Sequence, residues 1–323
     1  MLNFKLYKVI PLKREIKIMN KKYIVTKIIA AIEVLLVLTI FFLFYFTHEV
    51  KSKRVVYIPK GNTNYTIKAL QKSGLDITGF DKFIIYFMGY PQAGWVDLKG
   101  EKFTKGDFLY RLTHNKAALE TITIIPGETN YFIYKLIGKK LKIDNFYCNI
   151  DEGFIKPDTY KLPIGMKRED VCKYLYAKSL KWHKKMAKKF FGVWNYKTYK
   201  KYLIIASIIQ KEAANVNEMK YISAVIYNRL KKHMKLQMDG SLNYGKNSHT
   251  KITPQMIRSN KSSYNTYKYY GLPENPVCVV SNEAIIAAVF PAKVNYLYFV
   301  KCGKHHLFAT SYKAHLRNIK RCK

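Results

Sequence analysis

The longest unbroken apolar stretch covers residues 28–46 and carries a single charge, Glu33. A helix needs roughly 20 such residues to cross a bilayer, so the pattern predicts one membrane span. The stretch runs out through Phe46-Thr47-His48-Glu49-Val50, which offers no small-residue cleavage site, and this favours a retained anchor over a removed signal peptide. Lys5, Lys8, Lys13, Arg14, Lys17, Lys21, Lys22 and Lys27 precede it, whereas the nearest positives beyond are Lys51, Lys53, Arg54 and Lys60. That bias places residues 1–27 as a basic cytoplasmic tail and everything after the span outside the membrane. Met19 heads a second, more compact basic-then-apolar pattern, so Met1 and Met19 both stand as candidate starts.

After the span the pattern alternates short strands with amphipathic helices. A strand is predicted at 54–59, helices at 64–73 and 80–88, a turn at 89–94 and a helix capped by Thr104. A strand at 119–125 and a turn at Pro126-Gly127-Glu128 lead to a helix through 132–137. The Lys- and aromatic-rich segment 171–202, with Trp182, His183 and Trp194, has the spacing of one or two amphipathic helices that send their tryptophans into a core. Further helices are expected at 218–231 and 282–289, and a closing hairpin pairs 296–300 with 306–308. The fold class is α+β: one N-terminal transmembrane helix at 28–46, a small α+β module at 51–125, and a mixed α+β domain at 126–323.

One helix carries an unusual acid. In Leu203-Ile204-Ile205-Ala206-Ser207-Ile208-Ile209-Gln210-Lys211-Glu212, the apolar face through Ile205, Ile208 and Ile209 continues onto Glu212. A carboxyl shielded from water holds its proton more tightly and can act as a general acid near neutral pH. The bland alternative is a last-turn Glu whose head bends out into solvent.

Composition narrows the classes. At 323 residues and 49% hydrophobic, the chain can bury a real core. Its formal charge of +36 raises nucleic acid as a partner, but the positives are mostly Lys, are spread along the chain and come with no nucleic-acid-binding fingerprint. A solvated Lys-rich surface suited to anionic lipid and acidic wall polymers is the better reading, with no nucleic acid. Cys148, Cys172, Cys278, Cys302 and Cys322 lack metal-ligand spacing, so neither a metal nor a cofactor is expected. Their odd number leaves at least one thiol free or joined between chains, and no pairing can be named.

Polar and aromatic clusters gather downstream of Glu212: Asn228-Arg229-Leu230, Leu236-Gln237-Met238-Asp239, Tyr264-Asn265-Thr266-Tyr267, Gly271-Leu272-Pro273 and Phe290-Pro291-Ala292. Amides and hydroxyls pair with sugar hydroxyls and acetamido groups, and aromatic rings pack on pyranose faces. In this order, together with Tyr296-Leu297-Tyr298-Phe299-Val300, His306, Phe308 and His315, these blocks resemble the YceG-like family of membrane-anchored endolytic murein transglycosylases. Glu152-Gly153 with Pro157-Asp158-Thr159-Tyr160 looks like the family's motif at the edge of the catalytic domain, and residues 51–125 fall where the family carries a LysM-like module.

The resemblance implies a lyase that cleaves the β-1,4 bond from N-acetylmuramic acid to N-acetylglucosamine inside nascent peptidoglycan strands and leaves 1,6-anhydro ends. Glu212 maps to the catalytic acid. The family motif has a second Glu two positions earlier, where this chain has Gln210. Substrate contacts are expected from Asp158, Tyr160, Asn228, Arg229, Gln237, Asp239, Tyr264, Asn265, Thr266 and Tyr267. Asp239 has two rival roles, orienting Glu212 or capping a turn, and Asn228-Arg229 has one, a network at the helix end. The implied location is the bacterial inner (cytoplasmic) membrane, single-pass, with the catalytic domain extracytoplasmic. Peptidoglycan strands, membrane lipid and the synthases of elongation or division are the implied partners. The alternative function is a catalytically silent scaffold that binds peptidoglycan.

Overall fold

A computed structural model describes residues 12–322, with side chains from Lys21 onward. Residues 1–11 of the expected basic tail lie outside the described residues. The chain divides into two compact units between Ala117 and Ala118.

The first unit opens with helix α1 (Leu12–Thr47), so the helix begins well before the apolar run. Within it, Lys21–Thr47 is long and apolar enough to cross a membrane. Strand β1 (Glu49–Lys51) pairs antiparallel with β4 (Lys102–Thr104), and β2 (Val55–Ile58) with β3 (Gly94–Asp97). Helices α2 (Thr63–Lys72) and α4 (Lys105–His114) pack on these strands, and α3 (Gly79–Met88) packs on α4. Ile58, Leu70, Ile85, Leu98, Phe108, Leu109 and Leu112 form the core. Inside it Lys105 Nζ sits 2.8 Å from Asp81 Oδ2, with neither side chain exposed. Asp81 belongs to a capping box on α3: Thr78 N–H donates to its carboxylate, and its own N–H donates to Thr78 Oγ1.

The second unit starts with β5 (Leu119–Thr123), which pairs with β6 (Thr159–Pro163) in register Leu119↔Pro163 to Thr123↔Thr159. This pairing keeps β5 in the second unit, together with β6. Helix α5 (Asn130–Leu141) lies between the two strands in sequence, and α6 (Arg168–Phe191) and α7 (Tyr196–Glu212) follow β6. The Lys- and aromatic-rich segment therefore becomes α6 plus the start of α7. Trp182 and Trp194 pack against the main core, and Trp182 Nε1 donates to Asn282 Oδ1 at 3.0 Å.

Helices α8 (Met219–Lys231), α9 (Pro254–Ser259) and α10 (Asn282–Val289) complete the helical layer. The buried faces of α7, α8 and α10 meet in one cluster that includes Ile205, Ile208, Ile209, Ile222, Val225, Ile226, Ala284 and Ile285. α8 begins one residue later than the spacing predicts, directly after the 3-10 turn Val216–Glu218, and the Glu218 carboxylate accepts His306 N–H at 2.8 Å and lies 2.8 Å from His306 Nδ1. Strands β7 (Tyr298–Cys302) and β8 (His305–Ala309) form the closing hairpin across a two-residue turn, where Gly303 has φ +61°. Helix α11 (Tyr312–Arg321) was not foreseen.

Two disulfides staple this unit. Cys148–Cys172 joins the segment before β6 to α6, and Cys302–Cys322 ties β7 to the end of α11; Cys278 is free and buried. Cys148–Cys172 closes a loop with a sequence separation of 24. By loop-closure entropy, replacing both cysteines with Ser is expected to destabilise the chain by about 3 kcal/mol. Thermal unfolding of the variant against the parent checks this, and an unchanged midpoint would mean the bridge adds nothing.

Candidate active site

Helix α7 brings Glu212 to the edge of the core. Asn195 caps its start by accepting Thr198 N–H, and residues 203–209 are all buried, which fixes the rotation of the last turn. Glu212 ends the helix half-buried. Its Oε1 accepts the Gly240 N–H at 2.6 Å. Burial pushes its pKa up from 4.5 to about 7, assisted by the charge of Asp239 and opposed by the Gly240 hydrogen bond and by Arg229. The carboxyl is therefore tucked against a loop and not swung into solvent, as the bland alternative would have it.

That loop, residues 236–242, alternates its faces. Leu236, Met238 and Gly240 point in, while Gln237 and Asp239 are exposed. Gln237 has φ +48°, which is uncommon for a residue with a side chain. Thr266 holds the loop in place: its carbonyl accepts Gln237 N–H at 3.0 Å and its Oγ1 accepts Met238 N–H at 3.0 Å. Ser241 Oγ, itself 2.9 Å from Thr266 Oγ1, donates to Met238 O. Tyr267 donates its hydroxyl to Asp239 Oδ1 at 2.8 Å, so Asp239 is oriented by Tyr267 and is not bonded to Glu212.

Of the residues expected to touch sugar, Asp239 and Tyr267 lie near Glu212, and Gln237 is exposed on the same loop. Tyr264 is half-buried and stacks on Tyr244 with ring centres 4.1 Å apart. The fold gives the remainder other work. Asn265 is fully buried and donates to Ile257 O and Asn260 O, and Thr266 is 1% exposed. Neither can reach a sugar. Asn228 donates its side-chain amide to Val294 O and Tyr296 O, and Arg229 donates to Leu297 O and Leu236 O. This is the helix-end network that rivalled a substrate role. Tyr160 is fully buried with its hydroxyl on Lys156 O, and Asp158 pairs with Lys156 at 2.6 Å.

Two further groups were not singled out in the sequence for a role of their own. Gly240 gives no signal there, yet its N–H is the direct partner of Glu212. Glu152 read only as part of a motif, yet it is a second largely buried carboxyl, pushed by burial to about 7, that accepts Asn130 N–H and Gly153 N–H. It thereby caps α5, whose own N-cap residue Thr129 makes no side-chain cap. Gly153, at φ +75°, lies where a Cβ would come within 2.5 Å of Pro276 and 2.8 Å of Cys278 O, so only glycine fits after Glu152.

Residues 56–321 match the sequence profile of the YceG-like family. This chain belongs to the YceG-like family. Among relatives, a Bacillus subtilis (strain 168) protein named endolytic murein transglycosylase is 29% identical, over 80% of this chain and 82% of its own length. A Streptococcus pneumoniae (serotype 2, strain D39) protein of the same name is 30% identical over 80% of this chain, which spans about half (48%) of it. The crystal structure of a yceG-like protein from Listeria monocytogenes shares the fold, with a TM-score of 0.51 and 23% identity, covering 83% of this chain and 99% of that one. For a YceG-like chain, the replacement at 210 has a physical reading: Gln210 Oε1 accepts Ser281 N–H at 3.1 Å, at the start of α10. An amide oxygen can accept that bond as a carboxylate would, without adding a charge near Glu212.

The raised pKa of Glu212 has a consequence for stability. Between pH 4.5 and about 7 the folded chain holds a proton that the unfolded chain has lost, so stability falls as pH rises through this window. Glu152 acts with the same sign over the same window. Glu212→Gln is expected to melt higher than the parent at pH 8 and with little difference at pH 4.5. Thermal unfolding at the two pH values checks it, and an equal difference at both would contradict the shift.

Proposed function

We propose that this chain is a membrane-anchored lytic transglycosylase that cuts inside peptidoglycan strands, with Glu212 acting first as acid and then as base. The observation that carries the reading is the Glu212 carboxyl, held at the end of an apolar helix by one backbone N–H while its acidic neighbour Asp239 is engaged by Tyr267. The names of the relatives supply the substrate class.

Burial favours the protonated carboxyl, which donates to the glycosidic oxygen as the bond breaks. The Gly240 N–H then stabilises the carboxylate left behind. That carboxylate takes the proton from the muramic acid 6-hydroxyl as this oxygen closes onto the anomeric carbon. Glycosidases that employ water or an enzyme nucleophile need two carboxyl groups. Here the nucleophile belongs to the sugar and is already close, so one carboxyl serves both steps. Gln237, Asp239, Tyr264 and Tyr267 hold the sugars around it.

Because the first step needs the proton, kcat/KM is expected to fall about tenfold per pH unit above about 7. A profile flat from pH 6 to 9 would contradict Glu212 as the acid. The span, the basic flank before it and two disulfides after it support a single-pass protein with its catalytic unit outside the cytoplasm, where disulfides persist. Residues 51–125 would serve as a LysM-like module near the membrane, alongside peptidoglycan synthases. The deciding test is digestion of uncross-linked glycan strands by the full chain, with products read by mass spectrometry. New ends lighter by one water than reducing ends are expected; strand binding with no cleavage would favour a silent scaffold.

A further inference from the structure

Helix α3 is apolar on both sides. Its inner side, with Asp81, Ile84 and Ile85, is buried in the core of the first unit. Its outer side carries Phe83, Tyr86 and Phe87 at i, i+3 and i+4, which are 59, 63 and 70% exposed, beside the exposed Lys82, and Tyr90, 50% exposed, follows just past the helix end. A surface helix of a soluble domain carries charge on that side, and four large rings in one exposed stripe mark an interaction surface. The rings form a continuous row, with centres 4.9 Å apart for Phe83–Phe87, 5.5 Å for Tyr86–Phe87 and 6.2 Å for Tyr86–Tyr90.

The row does not stop at the helix. Phe83 is 6.3 Å from Phe80, and Phe80 lies 4.8 Å from Tyr45, 6.0 Å from Phe41 and 6.2 Å from Phe42, all on the last turns of α1. The join is firm, because Tyr45 donates its hydroxyl to Asp81 Oδ1 at 2.5 Å and Asp81 is itself paired with the buried Lys105. At 1.5 Å per residue, the apolar run 28–46 is about 28 Å long, close to the hydrocarbon thickness of a bilayer. Phe41, Phe42 and Tyr45 fall in its final turns, so a helix packed on them sits level with the boundary between head groups and acyl chains. Aromatic side chains concentrate at that depth.

We infer that α3 is an interfacial helix, whose rings Phe83, Tyr86 and Phe87, continued by Tyr90 just past its end, enter the outer boundary of the bilayer and, with α1, fix the first unit to the lipid surface. The inference rests on reading α1 as a membrane span. Lipid is the occupant because the stripe continues the surface of a helix that lipid already surrounds. A helix anchored in this way lies in the plane of the interface with its apolar side sunk roughly 5–10 Å into it.

The test places the full chain in phospholipid vesicles and reads tryptophan emission with two sets of lipids, brominated on the acyl chain either near the head group or near the chain end. Phe87→Trp and, separately, Leu38→Trp are compared with the parent, whose own tryptophans give the background. The tryptophan at 87 is expected to be quenched most by bromine near the head group, and the one at 38 most by bromine near the chain end. Quenching at position 38 without quenching at 87 would overturn the interfacial helix and leave the span intact; a second copy of the chain covering the stripe would give this result. Absence of quenching at both positions would overturn the span and the interfacial helix together. Neither substitution touches the Glu212 site, so cleavage of soluble strands reports on that site independently.

Discussion

Glu212→Gln is expected to lower strand cleavage by about 10³-fold or more, because in the proposed mechanism one carboxyl carries both proton transfers and general acid–base catalysis alone contributes up to about 10⁴-fold. Gln has almost the same shape and can still accept the Gly240 N–H through its amide oxygen, so the fold and the binding of glycan should survive. The effect should fall on kcat and leave KM nearly unchanged, since the lost interaction belongs to the transition state. Comparing rates on purified strands, alongside a binding measurement, separates the outcomes. A variant that keeps even a tenth of the parent rate would remove Glu212 from the centre of the mechanism.

Gly240→Ala is the second large effect, and it acts without altering any titratable group. A Cβ at this position would lie 2.7 Å from Lys211 Cβ and 2.8 Å from Glu212 Oε1. Both contacts are too close, and neither neighbour can retreat far. Lys211 Cβ sits next to the helix backbone, with its Nζ donating to Ser248 Oγ at 2.7 Å, and Glu212 is held by the very N–H that the new methyl crowds. The loop or the carboxyl must move by an ångström or so, which is enough to cost about 10²-fold in rate. Overpacking of this kind also destabilises by about 1–3 kcal/mol. Full activity with an unchanged melting temperature would show that the loop does not position Glu212. A stable but inactive variant would place the defect in geometry.

The apolar run at 28–46, the stripe through Ile205, Ile208, Ile209 and Glu212, and the helices at 218–231 and 282–289 were legible because each repeats a period long enough to register against one face. The pairs β1–β4 and β2–β3 were mostly not, since strands of three or four residues show too few alternations; only β2 was anticipated. Helix α11 escaped although Tyr312, Leu316 and Ile319 have helical spacing, because ten residues offer only three large apolar positions. The Gly240 contact was invisible for a different reason: a backbone N–H has no sequence signature, and only tertiary packing aims it at a carboxyl. Asn265, Thr266 and Tyr160 look like sugar ligands in sequence, because the polar atoms that would grip a hydroxyl are the same ones that fasten a loop. Burial decides between the two uses, and it placed these three in the framework. The pairings Cys148–Cys172 and Cys302–Cys322 likewise depend on how distant segments meet, which spacing alone does not encode.

The account turns on a nucleophile that belongs to the sugar and not to water, and the most direct measurement of this is digestion of uncross-linked glycan strands by the full chain in ¹⁸O-labelled water. If Glu212 hands its proton to the leaving oxygen and then deprotonates the 6-hydroxyl, the new ends form closed rings that carry no label. Label at the anomeric position of the new ends, in amounts matching the bonds cut, would mean that water is the nucleophile and would contradict the single-carboxyl mechanism.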